Sequence, residues 1–146
     1  MKLKKNLLNY KNIYLGRNDV DKFRNRRKII NEKSVLKVIK KKYSDLKVIR
    51  PGFIPVIETI KYIYNCERLF SPLGTQLVLN SLFAKNLKLI FEMVPEKYYG
   101  FTTAQLVSKF KNSMYKKSIT HNVKPGWPLY TNQKANIRDL KKKIKL

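Results

Sequence analysis

From Leu87 to Val94 the chain alternates, with Leu87, Leu89, Phe91 and Met93 on one side and Lys88, Ile90 and Glu92 on the other. A period of two predicts a strand, and Pro95 ends it. Before this strand, Ser71-Pro72 supplies an N-cap residue followed by proline, predicting a helix to about Lys85. Its spacing pairs Val78 with Leu82 and Leu79 with Phe83 as buried positions. After the strand, Thr102 and Gln105 have capping-box spacing. They open a helix whose buried side is Leu106, Val107, Phe110 and Met114, and which turns basic at Lys109, Lys111, Lys116 and Lys117.

The N-terminal half is less regular. Short strands are predicted at Asn12–Leu15 and Leu46–Arg50. A helix over roughly 19–31, capped by Asn18 or Asp19, carries a thin stripe of Val20, Phe23 and Ile30. A second, capped by Ser34 and running to about Tyr43, sets Leu36, Ile39 and Tyr43 against Lys37, Lys40, Lys41 and Lys42. Ile54–Asn65 fits a helix or a buried strand, and Pro55 near its start favours the helix. From Ile119 onward the chain reads as irregular, broken by Pro125-Gly126-Trp127-Pro128, before a short helix within Ala135–Leu146. The expected fold is α+β and mainly helical, with a small central core, one or two short strands and basic extensions at both termini. The expected division is an arm over 1–17, one domain over 18–118 with its neutral core at 51–108, and an extension over 119–146.

Charge sharpens that division. The net charge is +24 over 146 residues, distributed as +13 over residues 1–50, +1 over 51–108 and +10 over 109–146. Self-repulsion on that scale opposes compaction unless a polyanion relieves it. The candidate nucleic-acid contacts are Lys2, Lys4 and Lys5; Arg24, Arg26, Arg27 and Lys28; Lys40, Lys41 and Lys42; Lys116, Lys117 and Lys124; and Lys141, Lys142 and Lys143. Trp127 and Tyr130 lie among such cations, where flat rings can stack on unpaired bases; the alternative for Trp127 is to anchor the tail on the core. Lysine outnumbers arginine 26 to 7, which suits neutralising phosphates better than reading base edges.

The residues for other chemistries are sparse. The single cysteine, Cys66, excludes an internal disulfide and reads as a small core residue. With one histidine, His121, there is no zinc-ligand spacing, and neither a metal nor another cofactor is expected. His121 has no carboxylate nearby in sequence for a triad. Glu58, Glu67, Glu92 and Glu96 could supply a carboxylate site, with Glu92 the natural start, but neutralising neighbouring lysines is the simpler role. No P-loop, G-x-G-x-x-G, H-E-x-x-H or C-x-x-C is present, and the glycines are isolated. An enzyme is not expected.

The basic segments at both ends, the Lys-, Asn- and Ile-rich composition of an A/T-rich gene and the lack of a catalytic constellation together resemble an organellar ribosomal protein. The resemblance is one of general character across the chain. It implies a non-catalytic constituent of a mitochondrial ribosome, organelle-encoded, or of the cytoplasm of an A/T-rich organism. Its implied partners are rRNA and neighbouring ribosomal proteins, with no membrane span and no small-molecule substrate. The alternatives are an accessory subunit of a mitochondrial membrane complex and a nucleic-acid-processing enzyme.

Overall fold

Three short runs, Asn12–Leu15, Arg68–Pro72 and Leu89–Pro95, buried on both faces, organise the molecule. The computed structural model describes residues 7–17, 28–98, 102–124 and 132–146. In chain order the elements are β1 (Asn12–Leu15), α1 (Glu32–Lys42), β2 (Lys47–Ile49), a 3-10 turn (Pro51–Phe53), α2 (Val56–Ile63) and β3 (Arg68–Pro72). They continue with α3 (Thr75–Phe83), β4 (Leu89–Pro95), α4 (Thr103–Phe110), β5 (Met114–Asn122), β6 (Gln133–Ala135) and α5 (Ile137–Ile144). The strands form one sheet in the order β2-β1-β3-β4-β5-β6. The first five are mutually parallel, and β6 runs antiparallel to β5.

Parallel pairing needs a crossover between consecutive strands, and the helices that make it cover both faces. Tyr14, Phe70, Phe91 and Met93 point to one face, where Val35, Val38 and Ile39 of α1 and Leu140 and Ile144 of α5 meet them. Ile13, Leu15, Leu69 and Ile90 point to the other, against Ile63 of α2, Leu77 of α3 and Ala104 and Val107 of α4. The Phe70 and Phe91 rings lie 5.7 Å apart between centroids, and Tyr43 is 5.4 Å from Phe70. Cys66 is fully buried, which pushes its thiol up to about 12; it is a core residue, as its isolation in the sequence suggested.

The fold is therefore an α/β sheet rather than a mainly helical α+β core with one or two strands. The error has a physical source. A strand covered on both sides loses the apolar–polar alternation that marks a half-exposed one. Thus Arg68–Pro72 carries no strand signal, and its last two residues mimic a helix start: Ser71 and Pro72 end β3, and α3 begins only at Thr75, after Gly74. At the basic end, Lys116 and Lys117 belong to β5, because Asn112 takes a left-handed conformation (φ 49°) that terminates α4. β1 is the short strand expected within the arm and α5 the short helix expected within Ala135–Leu146, whereas the end of β5 and β6 occupy the stretch from Ile119 that reads as irregular. The helix expected over 19–31 falls largely outside the described residues; within 28–31, Ile29 makes a β-bridge to Gln133. The strands at Asn12–Leu15 and within Leu46–Arg50, the helix within Ile54–Asn65 and the Thr102 capping box are all present.

The outward faces of α3 and α4 depart furthest from expectation. α3 buries Leu77, Asn80 and Ser81 and exposes Leu79, Leu82 and Phe83. Asn80 Nδ2 donates to Gln76 O at 2.7 Å and Ser81 Oγ donates to Leu77 O, so both polar groups are satisfied within the helix. α4 buries Ala104, Val107 and Ser108 and exposes Leu106 and Phe110, and Met114 is exposed as well. Phe83, 45% exposed, is not a core anchor. In chemical denaturation, Phe83→Ala should cost about 1 kcal/mol or less. Phe70→Ala, which empties a fully buried site, should cost ~3–5 kcal/mol. Equal losses would place Phe83 in the core.

Candidate active site

The strand order reverses at β1, because the chain leaves β1 for β2 on one side and later returns to β3 on the other. Their crossovers lie on opposite faces, so the loops after β1 and β3 diverge and leave a crevice at the carboxyl edge. The structure places small and polar residues there. Gly16 follows β1 and packs so closely that a Cβ would lie 3.3 Å from Glu32 Oε1 and from Arg50 Cγ. Glu32, in the first turn of α1, is buried and paired with Arg50 at 2.9 Å. Tyr14 is buried beside them; burial first, then the Glu32 carboxylate, raises its hydroxyl well above the ordinary tyrosine value.

On the other side of the crevice, Ser71 Oγ lies 3.3 Å from Leu15 O and 2.9 Å from Pro72 O, joining the ends of β1 and β3. Arg17 Nη1 donates to Leu73 O at 3.2 Å. A Cβ on Gly74 would run into that guanidinium, so glycine lets Arg17 lie across the β3–α3 turn. A cleft of about 220 Å³ opens beside it, lined by Leu73, Gly74, Thr75, Glu92, Tyr98 and Thr102 among others. The N-termini of α3 and α4 both reach this cleft, and such termini carry partial positive charge.

Glu92 forms one wall. It is 1% exposed, and its Oε2 accepts from Tyr115 Oη at 2.8 Å. Thr102 Oγ1 lies 3.1 Å from the same phenol oxygen. Burial raises the Glu92 carboxyl above its ordinary value, opposed by hydrogen bonds from Tyr115, Thr102 and the Gly74 N–H and by the charge of Lys117. Burial likewise raises Tyr115, with Glu92 adding to the effect. Glu92 thus ties α3, α4 and β5 together at the cleft, rather than simply neutralising a lysine. Further along the same edge, His121 Nδ1 pairs with Glu96 Oε2 at 2.8 Å, and Asn136 Nδ2 lies 3.4 Å from Nε2. The carboxylate missing from the sequence neighbourhood of His121 is supplied across the sheet. No group of three or more His, Cys, Asp or Glu side chains that could hold a metal ion occurs among the described residues.

The sequence-predicted contacts lie elsewhere. Lys40, Lys41 and Lys42 end α1 and are exposed, and the α1–α5 packing brings them to the same flank as Lys141, Lys142 and Lys143. Lys42 Nζ donates to Ile144 O, and Lys116 Nζ to Lys143 O at 3.4 Å, so part of this charge caps a helix end. Lys117 and Lys124 are exposed, while Lys28 is half-buried and its backbone bonds to Asn132 and Gln133. Lys2, Lys4, Lys5, Arg24, Arg26, Arg27, Trp127 and Tyr130 lie outside the described residues. The sequence reading missed Gly16, Arg17 and Gly74 and set Glu92 aside. The available signal was Leu73-Gly74-Thr75 between two apolar runs, which marks a strand–turn–helix junction.

The family model for Glycosyltransferase 61 matches residues 2–91, spanning β1 through the start of β4 and hence both sides of the switch point. The chain belongs to the Glycosyltransferase 61 family. No curated protein matches it. Membership points to an enzyme and overturns the expected ribosomal constituent, its rRNA and ribosomal-protein partners, and the absence of a small-molecule substrate. It equally overturns the accessory-subunit and nucleic-acid-processing alternatives. Net charge selects for polyanions in general and says nothing about the chemistry of a crevice.

Glu92 makes the stability of this glycosyltransferase-family domain depend on pH. Its folded carboxyl holds a proton more tightly than the unfolded one, so its contribution is greatest at low pH. That contribution declines as pH rises from the ordinary carboxylate range, about 4.3, to the raised folded value. Denaturation midpoints across this window should fall more steeply for the native sequence than for Glu92→Gln. Parallel pH profiles would show that Glu92 titrates normally.

Proposed function

We propose that the crevice at the carboxyl ends of β1, β3 and β4 binds the activated sugar donor of a glycosyl-transfer reaction. The supporting observation is that the switch point, with Gly16, Arg17 and the Leu73-Gly74-Thr75 turn, lies wholly within the residues that match the family. Ligands of open parallel sheets bind at this position, and anionic groups favour helix N-termini. A sugar linked to a nucleoside diphosphate meets both requirements. Its phosphates face the start of α3 and the Arg17 guanidinium, which can form charge-assisted hydrogen bonds. The cleft of about 220 Å³ is smaller than the ~300–1,000 Å³ of a typical ligand pocket. It takes part of the donor, and the remainder lies along the Gly16 side.

The chemistry needs three things from the protein. As the bond from the anomeric carbon to phosphate oxygen breaks, its electron pair leaves with the nucleoside diphosphate, and the cationic side of the crevice stabilises that growing charge. An acceptor hydroxyl oxygen forms the new bond to the anomeric carbon and loses its proton to a base. Glu92 positions rather than reacts: through Gly74 N–H, Thr102 and Tyr115 it fixes the start of α3 on the donor.

The test is calorimetric titration with uridine and guanosine diphosphates, followed by transfer from the matching nucleotide sugars. Arg17→Ala should weaken diphosphate binding by about 10–100-fold, the equivalent of roughly 1.5–3 kcal/mol for a charged hydrogen bond. Gly74→Val should weaken it comparably by displacing Arg17 from Leu73 O. Absence of binding by any nucleoside diphosphate, together with absence of transfer or donor hydrolysis, would refute the donor-site reading.

A further inference from the structure

The outer surface of α3 and α4 is apolar where a solvated helix face is ordinarily polar. α3 carries no charged residue, and its large apolar side chains Leu79, Leu82 and Phe83 point outward while Asn80 and Ser81 point in. On α4, Leu106 is 59% and Phe110 82% exposed, one turn apart on the same stripe. Lys111 Nζ donates to Ala84 O at 3.1 Å, which holds the C-terminal ends of the two helices together. The exposed groups therefore form one patch, and contiguous patches of this kind mark interaction surfaces.

Its position and charge indicate what covers it. The two helices end at the amino edge of the sheet, where Lys85 N bonds to Tyr64 O and Met114 N to Lys88 O. This is the edge opposite Gly74 and Glu92. Lys85, Lys88 and Lys109 are exposed toward that end, and Lys88 also holds the Glu67 carboxylate at 3.0 Å. A second copy of a +24 chain would bring the same lysines into contact, whereas an anionic surface gains from them. The patch is built from two adjacent helices, and none of its exposed apolar side chains lines the cleft beside Glu92 or the one between α1 and α5. Large apolar tips beside a cationic rim suit a fluid interface better than a shaped partner. No helix among the described residues is long and apolar enough to cross a membrane.

We infer that the exposed face of α3 and α4 docks on an anionic lipid bilayer, inserting Phe83, Leu106 and Phe110 between headgroups while the lysines at the amino edge meet lipid phosphates. The crevice lies at the opposite, N-terminal ends of the same two helices.

Vesicle co-sedimentation with the full chain tests this. Phosphatidylcholine vesicles containing about one-third phosphatidylserine should bind at least ~10-fold better than phosphatidylcholine alone. The double variant Phe83→Ser/Phe110→Ser should lower binding to the anionic vesicles at least ~10-fold, with circular dichroism unchanged because both side chains are exposed. Lys141→Gln/Lys142→Gln/Lys143→Gln, on α5 across the sheet, should change binding less than ~3-fold. Three results overturn the inference: no binding to anionic vesicles, binding lost in the α5 variant but kept in the double variant, or a lipid-free dimer that the double variant dissociates.

Discussion

Everything in this molecule depends on the parallel pairing of β1 with both of its neighbours. Four residues, Asn12–Leu15, all buried, hydrogen-bond to β2 on one side and β3 on the other. Because both pairings are parallel, the chain must leave β1 over one face and come back to β3 over the opposite face. That divergence makes the crevice. It also explains why Gly16, Arg17, Ser71 and Gly74, scattered over almost 60 residues, meet at one edge. Side-chain bonds then fix the register at both ends of the strand: Ser71 reaches Leu15 O at one end, and Asn12 accepts from Arg68 at 3.2 Å at the other.

How far this could be read from the sequence depended on exposure. Thr102 and Gln105 were legible because a capping box is a local device whose two hydrogen bonds depend only on spacing. β4 was legible by length, although its alternation was only apparent: Ile90 and Glu92 are as buried as Phe91. β3 was illegible because Leu69 and Phe70 pack on opposite faces, so the strand presents an unpatterned apolar pair before Ser71-Pro72. The face of α3 was misassigned for a related reason. With apolar residues around most of its circumference, periodicity could not tell which stripe is covered. That decision came from Ile90 and Ala104, contributed by other elements. The crevice was legible only in fragments, since a glycine between a strand and a helix has no meaning until the strand is recognised.

The excess of lysine is also better understood through the fold. Several lysines complete the structure locally: Lys42 caps the C-terminal end of α5, Lys111 reaches Ala84 O, and Lys61 and Lys88 hold Glu58 and Glu67. Where the amine is mostly exposed, as on Lys88, such a pair contributes little to stability. Lysine can therefore be abundant without marking one binding face. Buried charge is rarer and more informative. The two buried carboxylates among the described residues lie toward the carboxyl edge, Glu32 with Arg50 and Tyr14, and Glu92 with Tyr115.

Burying Glu92 is unfavourable unless its oxygens find donors, and the fold supplies them from three separate elements: Gly74 before α3, Thr102 before α4 and Tyr115 on β5. An apolar residue at this position would pack β4 equally well and would need none of these bonds. What it would not do is couple the starts of two helices to the sheet. Native sequences break the rule of an apolar core where a site requires a fixed polar geometry. The cost of desolvating one carboxylate is thus the physical sign that the α3 N-terminus must be held in place, and that end of α3 lies in the crevice where the Glycosyltransferase 61 match and the reversal of strand order coincide.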